Sequence, residues 1–267
     1  MQQERNQKLR VRILVKAFPQ PSTKYEETVC VAAVSEDTRE FLRLFPIRYR
    51  RLPAEHRFQR FDQVTLTATK ATSDPRPESY RVDEPSIKVT GKSGDLSPTS
   101  KVALWSPFVS PSLSVLQSDQ KQSGRSLGII RPDAGSIRFK IAPLAESTPD
   151  DQEVASHVFE QASLLEDPLR PLAKPEFSFS YTFVSGGKQH TYQIHDWEVQ
   201  AAFQEYQRRY GSGALAKMEE QYGQKIPFQN LHFIMGTMQK RPWQFIVIGL
   251  LRSSIAPEDL KRQQILI

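Results

Sequence analysis

The first hundred residues are dominated by alternation. Leu9, Val11, Ile13, Val15 and Ala17 share one parity while Arg10, Arg12 and Lys16 take the other, which predicts a half-buried strand over 9–18, ended by Pro19 and Pro21. Residues 28–34 (Thr-Val-Cys-Val-Ala-Ala-Val) are short and β-branched and predict a buried strand. Glu36-Asp37-Thr38 makes a turn, and 39–45 is the returning hairpin strand. Over 61–69, Val64, Leu66 and Ala68 point inward and Thr65, Thr67 and Thr69 outward; a shorter strand over 86–90 follows Asp74-Pro75-Arg76-Pro77. Residues 90–100 have the composition of a linker. Five short strands in so little chain predict a small antiparallel barrel of the OB-like kind.

Beyond residue 100 the pattern is mixed. A helix is expected over 111–120, then strands over 127–130 and 136–141 around Pro132-Asp133-Ala134-Gly135. Thr148 can cap a helix with Pro149 in its first position, Asp150 and Asp151 complementing its positive end, and Val154, Val158, Ala162 and Leu165 forming an apolar stripe. Residues 176–184 alternate strictly, with Phe177, Phe179, Tyr181 and Phe183 on one face, and Ser185-Gly186-Gly187-Lys188 turns the chain into a partner strand over 189–195. Asp196 caps the next helix, whose Val199, Phe203, Tyr206 and Tyr210 recur at helical spacing. Gly211-Ser212-Gly213 breaks it, a second helix over 214–222 stops at Gly223, and strands over 231–238 and 243–251 close the domain. Gly236 inside a strand predicts a bulge or a close backbone approach. The expected class is therefore α+β and β-rich: an OB-like basic barrel over 1–100, then a mixed domain over 101–267 with two or three helices, which leaves room for a second barrel with helical insertions.

Charge sharpens this picture. The 36 Lys and Arg exceed the 30 Asp and Glu, giving a formal charge of +6, but the two signs are segregated. Seven arginines (Arg39, Arg43, Arg48, Arg50, Arg51, Arg57, Arg60) stand between 39 and 60 against Glu40 and Glu55, whereas 146–167 holds seven acids and no Lys or Arg. Arginine's planar fork suits phosphate and base stacking, where plain solubilising charge is more often lysine. On the strand over 39–45, Leu42 and Leu44 point inward and leave Arg39, Phe41, Arg43 and Phe45 on the opposite face. Such a strand can stack bases and hold phosphates; Tyr49 continues the interleaving, with Arg48, Arg50, Arg51, Arg57 and Arg60 as further phosphate contacts. The competing reading packs Phe41 and Phe45 under the second domain, with the arginines at the interface rim.

The longest apolar run, Phe245 to Leu251, is far short of a membrane span, and one cysteine excludes an internal disulfide; no secretory signal is visible, so a cytoplasmic chain without membrane contact is expected. Cys30 reads as a buried small hydrophobe. No phosphate-binding glycine loop, nucleophile elbow or zinc-protease motif is present, so no cofactor or metal is expected. His195, Asp196 and Glu198 form the one cluster that admits a metal-dependent nuclease or nucleic-acid-modifying enzyme, although Asp196 is already explained as a cap and Glu198 as a first-turn acid.

The stretch from Thr28 to Asp62, with Val-Cys-Val-Ala-Ala-Val, Phe-Leu-Arg-Leu-Phe-Pro and Phe-Gln-Arg-Phe-Asp, resembles the opening of bacterial dual-OB-domain proteins found near DNA-modification and anti-phage defence genes. Ser126 to Pro132 (Ser-Leu-Gly-Ile-Ile-Arg-Pro) is similar to a segment opening their second barrel. The resemblance implies nucleic-acid binding by OB-like barrels in a modification or antiviral-defence setting and transfers no catalytic residue. The expectation is a non-enzymatic nucleic-acid-binding subunit of a larger bacterial complex with a protein partner. Single-stranded or non-duplex nucleic acid is favoured because no recognition helix is evident. The nuclease and a protein-docking module with an arginine-rich interface are the alternatives.

Overall fold

The computed structural model describes residues 6–22, 26–144, 175–238 and 241–254. The acidic helix expected from Thr148 to Leu165 lies outside them.

Five strands close the first barrel. β1 (Gln7–Lys16) pairs antiparallel with β3 (Glu26–Ser35) and with β5 (Gln63–Lys70). β3 pairs with β4 (Phe41–Ile47), β5 with β6 (Ser79–Gly91), and β4 joins β6 in parallel. The ring β1-β3-β4-β6-β5-β1 has the Greek-key order of an OB-like barrel, with one parallel joint where antiparallel pairing was expected, and β2 (Gln20–Ser22) extends β3. Val11, Val31, Leu42, Leu44, Val64 and Leu66 fill its interior, as their parity predicts. Val15 does not follow: a bulge between Ile13 and Val15 turns it to the outer face, beside Leu14. β6 is much longer than the strand expected over 86–90, and the expected linker instead holds the end of that strand and the start of a helix.

That helix, α1 (Pro98–Trp105), straddles the boundary placed at residue 100; Ser97 caps it by accepting from Ser100 N at 3.0 Å. After β7 (Val109–Ser110), α2 (Leu113–Ser123) precedes β8 (Leu127–Ile130) and β9 (Arg138–Pro143). β10 (Phe177–Ser185) and β11 (Lys188–Gln193) form the aromatic hairpin, and β12 (His232–Met238) and β13 (Arg241–Leu251) the last one.

β8 pairs with β12 and β9 with β10, so β8 and β9 act as two halves of one interrupted strand. The break is braced on β10: Asp133 N donates to Val184 O at 2.8 Å and Val184 N to Ser136 Oγ at 3.0 Å. Past β11, Ile194 meets Val247 of β13 in a parallel bridge, and His195 N donates to Val247 O at 2.7 Å. Counted this way, the first strand pairs with the second and fourth and the third meets the fifth in parallel. That is the connectivity of the first barrel. Between the third and fourth strands run α3 (Trp197–Tyr210), α4 (Ala214–Met218) and a π-helical turn over Glu219–Lys225, which carries the helix past Gly223. Phe179, Tyr181 and Phe183 meet Val199, Phe203 and Met218 in the core of this second ring.

A third apolar cluster joins the two rings. Leu14, Val15, Ala32, Val34 and Phe41 on the outer face of β1, β3 and β4 pack against Trp105, Leu127, Ile129, Ile234 and Ile248. At roughly 1.5–3 kcal/mol per buried large side chain, this seam is a substantial third core. Gly249 permits the approach: a Cβ there would lie 2.6 Å from Val15 Cγ2. Gly236 likewise faces Ile248, 2.9 Å from its would-be Cβ, between two register shifts of β12. No helix among the described residues is long and apolar enough to cross a membrane.

Candidate nucleic-acid interface

The arginine–phenylalanine strand keeps its expected parity but not its expected exposure. Phe41 is 7% exposed, its ring 5.0 Å from that of Phe108. Arg43 is 3% exposed and donates to Ser126 O and Oγ at 3.1 and 3.2 Å and to Cys30 Sγ at 3.4 Å. Ser126 in turn donates its hydroxyl and amide to Glu78 at 2.7 and 2.8 Å, which relays a counter-charge to the buried guanidinium. Cys30 is half-buried at this network rather than sealed in an apolar core. The platform reading is thus corrected at its centre, and the packing alternative holds there. The reason is compositional: Ala32 and Val34 make the outer face of β3 apolar, and such a face requires cover. Only the strand's ends emerge, with Arg39 exposed on one side and Phe45, 40% exposed, on the other.

The loop from β4 to β5 turns most of its arginines inward or onto acids. Arg48 pairs with Glu84 at 2.8 Å and Arg50 with Glu27 at 2.8 Å. Arg57 donates to Leu52 O at 2.9 Å and to Arg50 O at 3.0 Å. Arg51 is half-buried in the short helical turn Tyr49–Arg51. Tyr49 is no open stacking surface: its ring stands edge-on between Phe58 and Trp197, at 5.1 and 5.2 Å, and its hydroxyl donates to Phe58 O at 2.6 Å. Lys16 fills the cage these rings form, 4.3 Å from the Tyr49 centroid and 2.9 Å from Phe58 O, and burial holds its ammonium below the usual lysine range. Arg60 reaches across the seam to Asp196 and Glu198, at 3.0 Å each.

That contact also settles where the alternative catalytic cluster lies. Asp196 is 1% exposed and accepts from Glu198 N, Leu250 N and Arg60, at 2.9, 2.9 and 3.0 Å, so it is the expected cap of α3 and a bolt between the barrels. Burial pushes its carboxyl up, Arg60 opposes the rise, and Glu198 adds to it. The two acids share a cavity of about 280 Å³ with Arg60, Tyr206, Gln221, Tyr222 and Arg252, but His195 does not line it. His195 is mostly buried, which lowers its pKa, and its backbone carbonyl accepts from Phe18 N at 2.7 Å. The expected trio is therefore a pair without its histidine.

A second concavity takes in the exposed end of β4. It has a volume of about 460 Å³ and lies where the first barrel's rim meets the second. Arg39, Lys70 and Arg125 bring cations to it and Phe41, Tyr80 and Phe108 aromatic walls, with Glu40 and Glu78 as the acids. Arg39 makes no ion pair among the described residues, and it sits at φ +58, where its N–H can close the hairpin turn onto Ser35 O at 3.0 Å. Lys70 lies over the Tyr80 ring at 4.5 Å, and Arg125 holds Asp119 at 2.8 Å. Burial and Glu40 raise the Tyr80 hydroxyl, so it stays neutral. Sequence reasoning found Arg39 and Phe41 but missed Lys70, Tyr80, Phe108 and Arg125. The Lys70–Tyr80 pairing across β5 and β6 was the signal, hidden because β6 starts well before the expected strand.

Residues 7–103 match a family described as domain of unknown function (DUF8758), and residues 110–266 match one described as domain of unknown function (DUF8757). No curated protein matches the chain.

Proposed function

We propose that this chain, which belongs to the family described as domain of unknown function (DUF8757), binds single-stranded or otherwise unpaired nucleic acid as a non-enzymatic, cytoplasmic subunit of a larger bacterial assembly. The observation that carries the reading is the cleft, where three cations converge on three aromatic side chains. OB-like barrels use the face of their second and third strands and the loop between the fourth and fifth. Here that face is largely covered, and the cleft is its open edge: Arg39 to Leu42 open the third strand and Pro77 and Glu78 belong to the fourth-to-fifth loop. Unpaired bases offer the flat faces that Tyr80 and Phe108 can stack, at about 1–3 kcal/mol per base, and phosphates offer partners for Arg39 and Lys70. A duplex hides those faces.

The arginine-rich loop supports a docking module poorly, since Arg48, Arg50 and Arg60 already hold acids of their own chain. The test is a salt titration with single- and double-stranded oligonucleotides. Two phosphate contacts give a log–log slope of roughly −1.4 for single strands, and Arg39→Ala with Lys70→Ala should bring it close to zero. Affinity that ignores salt, or survives that double change, overturns the reading.

A further inference from the structure

The cavity behind Arg60 has features that the bolt between the barrels does not use. Tyr222 is 8% exposed, and its hydroxyl has no hydrogen-bond partner among the described residues. Asp196, Glu198, Tyr206 and Arg252, all lining the same space, are the groups whose charge that hydroxyl feels. The hydroxyl is therefore left to pair with water or a ligand in the space that Tyr222 lines. It is held there by the π-helical turn over Glu219–Lys225, a distortion that recurs at functional sites. Two guanidiniums, of Arg60 and Arg252, face two carboxylates, of Asp196 and Glu198, so the lining is close to neutral and a phosphate gains no net attraction. A neutral planar group with donors and acceptors on its edge does fit: the Tyr206 and Tyr222 rings give flat surfaces, and Gln221 and Glu198 give edge partners. At about 280 Å³ the space admits one ring system and no more of a strand. Beside it, two residues past the lining Ile226, Phe228 is 82% exposed.

We infer that this cavity is a nucleobase site, taking either a free nucleoside or a base turned out of a strand held in the cleft. The strand-derived form rests on the nucleic-acid reading above. The free-nucleoside form does not.

Calorimetric titration of the full chain with adenosine, guanosine, cytidine and uridine, beside a single-stranded oligonucleotide, tests the inference. At least one nucleoside should bind with the same affinity at low and high salt. Tyr222→Phe and Gln221→Ala should each weaken it about tenfold, as loss of one buried hydrogen bond does, with the thermal midpoint unchanged. Arg39→Ala with Lys70→Ala should leave it untouched. If no free nucleoside binds but Tyr222→Phe weakens the oligonucleotide, the base belongs to a strand and the inference stands. If nucleosides bind while oligonucleotides do not, the cleft reading fails and the cavity remains a nucleobase site. Nucleoside binding indifferent to both variants overturns the inference, as does the absence of nucleoside binding together with an oligonucleotide affinity indifferent to Tyr222→Phe.

Discussion

A closed barrel and a ring assembled from two sheets, with one connectivity, solve the same problem differently. Each must plug the end of its ring in the link between third and fourth strands. The second uses α3 and the turn after α4, whose backbone satisfies itself while Val199 and Phe203 enter the core. The first has only two short 3-10 turns there, Tyr49–Arg51 and Ala54–His56. Leu52 and Phe58 enter the core from an irregular loop, and side chains meet that loop's carbonyls: Arg57 those of Leu52 and Arg50, Tyr49 and Lys16 that of Phe58, and Arg12 that of Phe61 at 3.2 Å. Carbonyls in such a plug need donors, and a guanidinium supplies several at once. Arg57 thus substitutes for helical hydrogen bonding, whereas Arg48, Arg50 and Arg60 hold acids.

The largest effect expected tests the bolt between the barrels. Asp196→Ala removes a cap and leaves Arg60 without its buried partner, and should cost about 3–5 kcal/mol in chemical denaturation, which disqualifies it as a probe of catalysis. Gly249→Ala drives a methyl into Val15 across the seam and should cost about 1–3 kcal/mol; a neutral result would mean that the barrels pack less closely than described. The two classes of arginine should then separate. Arg57→Ala should lose about 1–2 kcal/mol of stability with oligonucleotide affinity unchanged, because it bonds only the plug. Arg39→Ala should do the reverse, and identical behaviour of the two would erase the distinction between plug and cleft.

The smallest effect is the acid dependence contributed by two carboxylates of the first barrel. Burial raises the Asp74 carboxyl, but hydrogen bonds from Arg76 and Ser79 outweigh it and hold the group below the usual range. Arg12 and Gln63 do the same for Glu36. A depressed carboxyl contributes its full stability above the unfolded value of about 3.9 for Asp and loses it as pH falls through the folded one. The denaturation midpoint should therefore decline in acid below about pH 4, and Asp74→Asn should flatten that decline.

Local patterns carried much of this fold. Leu42, Leu44, Val64 and Leu66 lie inside as their parity demands, and Asp196 caps the helix it precedes. The barrel-to-barrel seam was harder to read because its face is defined by a bulge that reverses the parity of Val15, and no periodic signal marks a bulge. The second ring was hidden by the break between β8 and β9, which splits one strand's pattern into two short ones. For the sites, residue chemistry identified Arg39, Phe41, Asp196 and Glu198, but only tertiary contact could show which arginines were already engaged. Tyr222 ended the helix expected over 214–222 without standing out, since the surroundings of its hydroxyl are drawn from both halves of the chain.

The apolar seam bears on how the chain can be divided. Its two family matches meet between residues 103 and 110, a natural place to cut for expression. Each half so obtained would present Leu14, Val34 and Phe41, or Ile129, Ile234 and Ile248, to water as a continuous sticky patch. The two halves match separate family models yet share this seam, so neither is expected to stay soluble alone. Co-expressed, they should find one another and reassemble without a covalent link, and the intact chain should melt in one cooperative step.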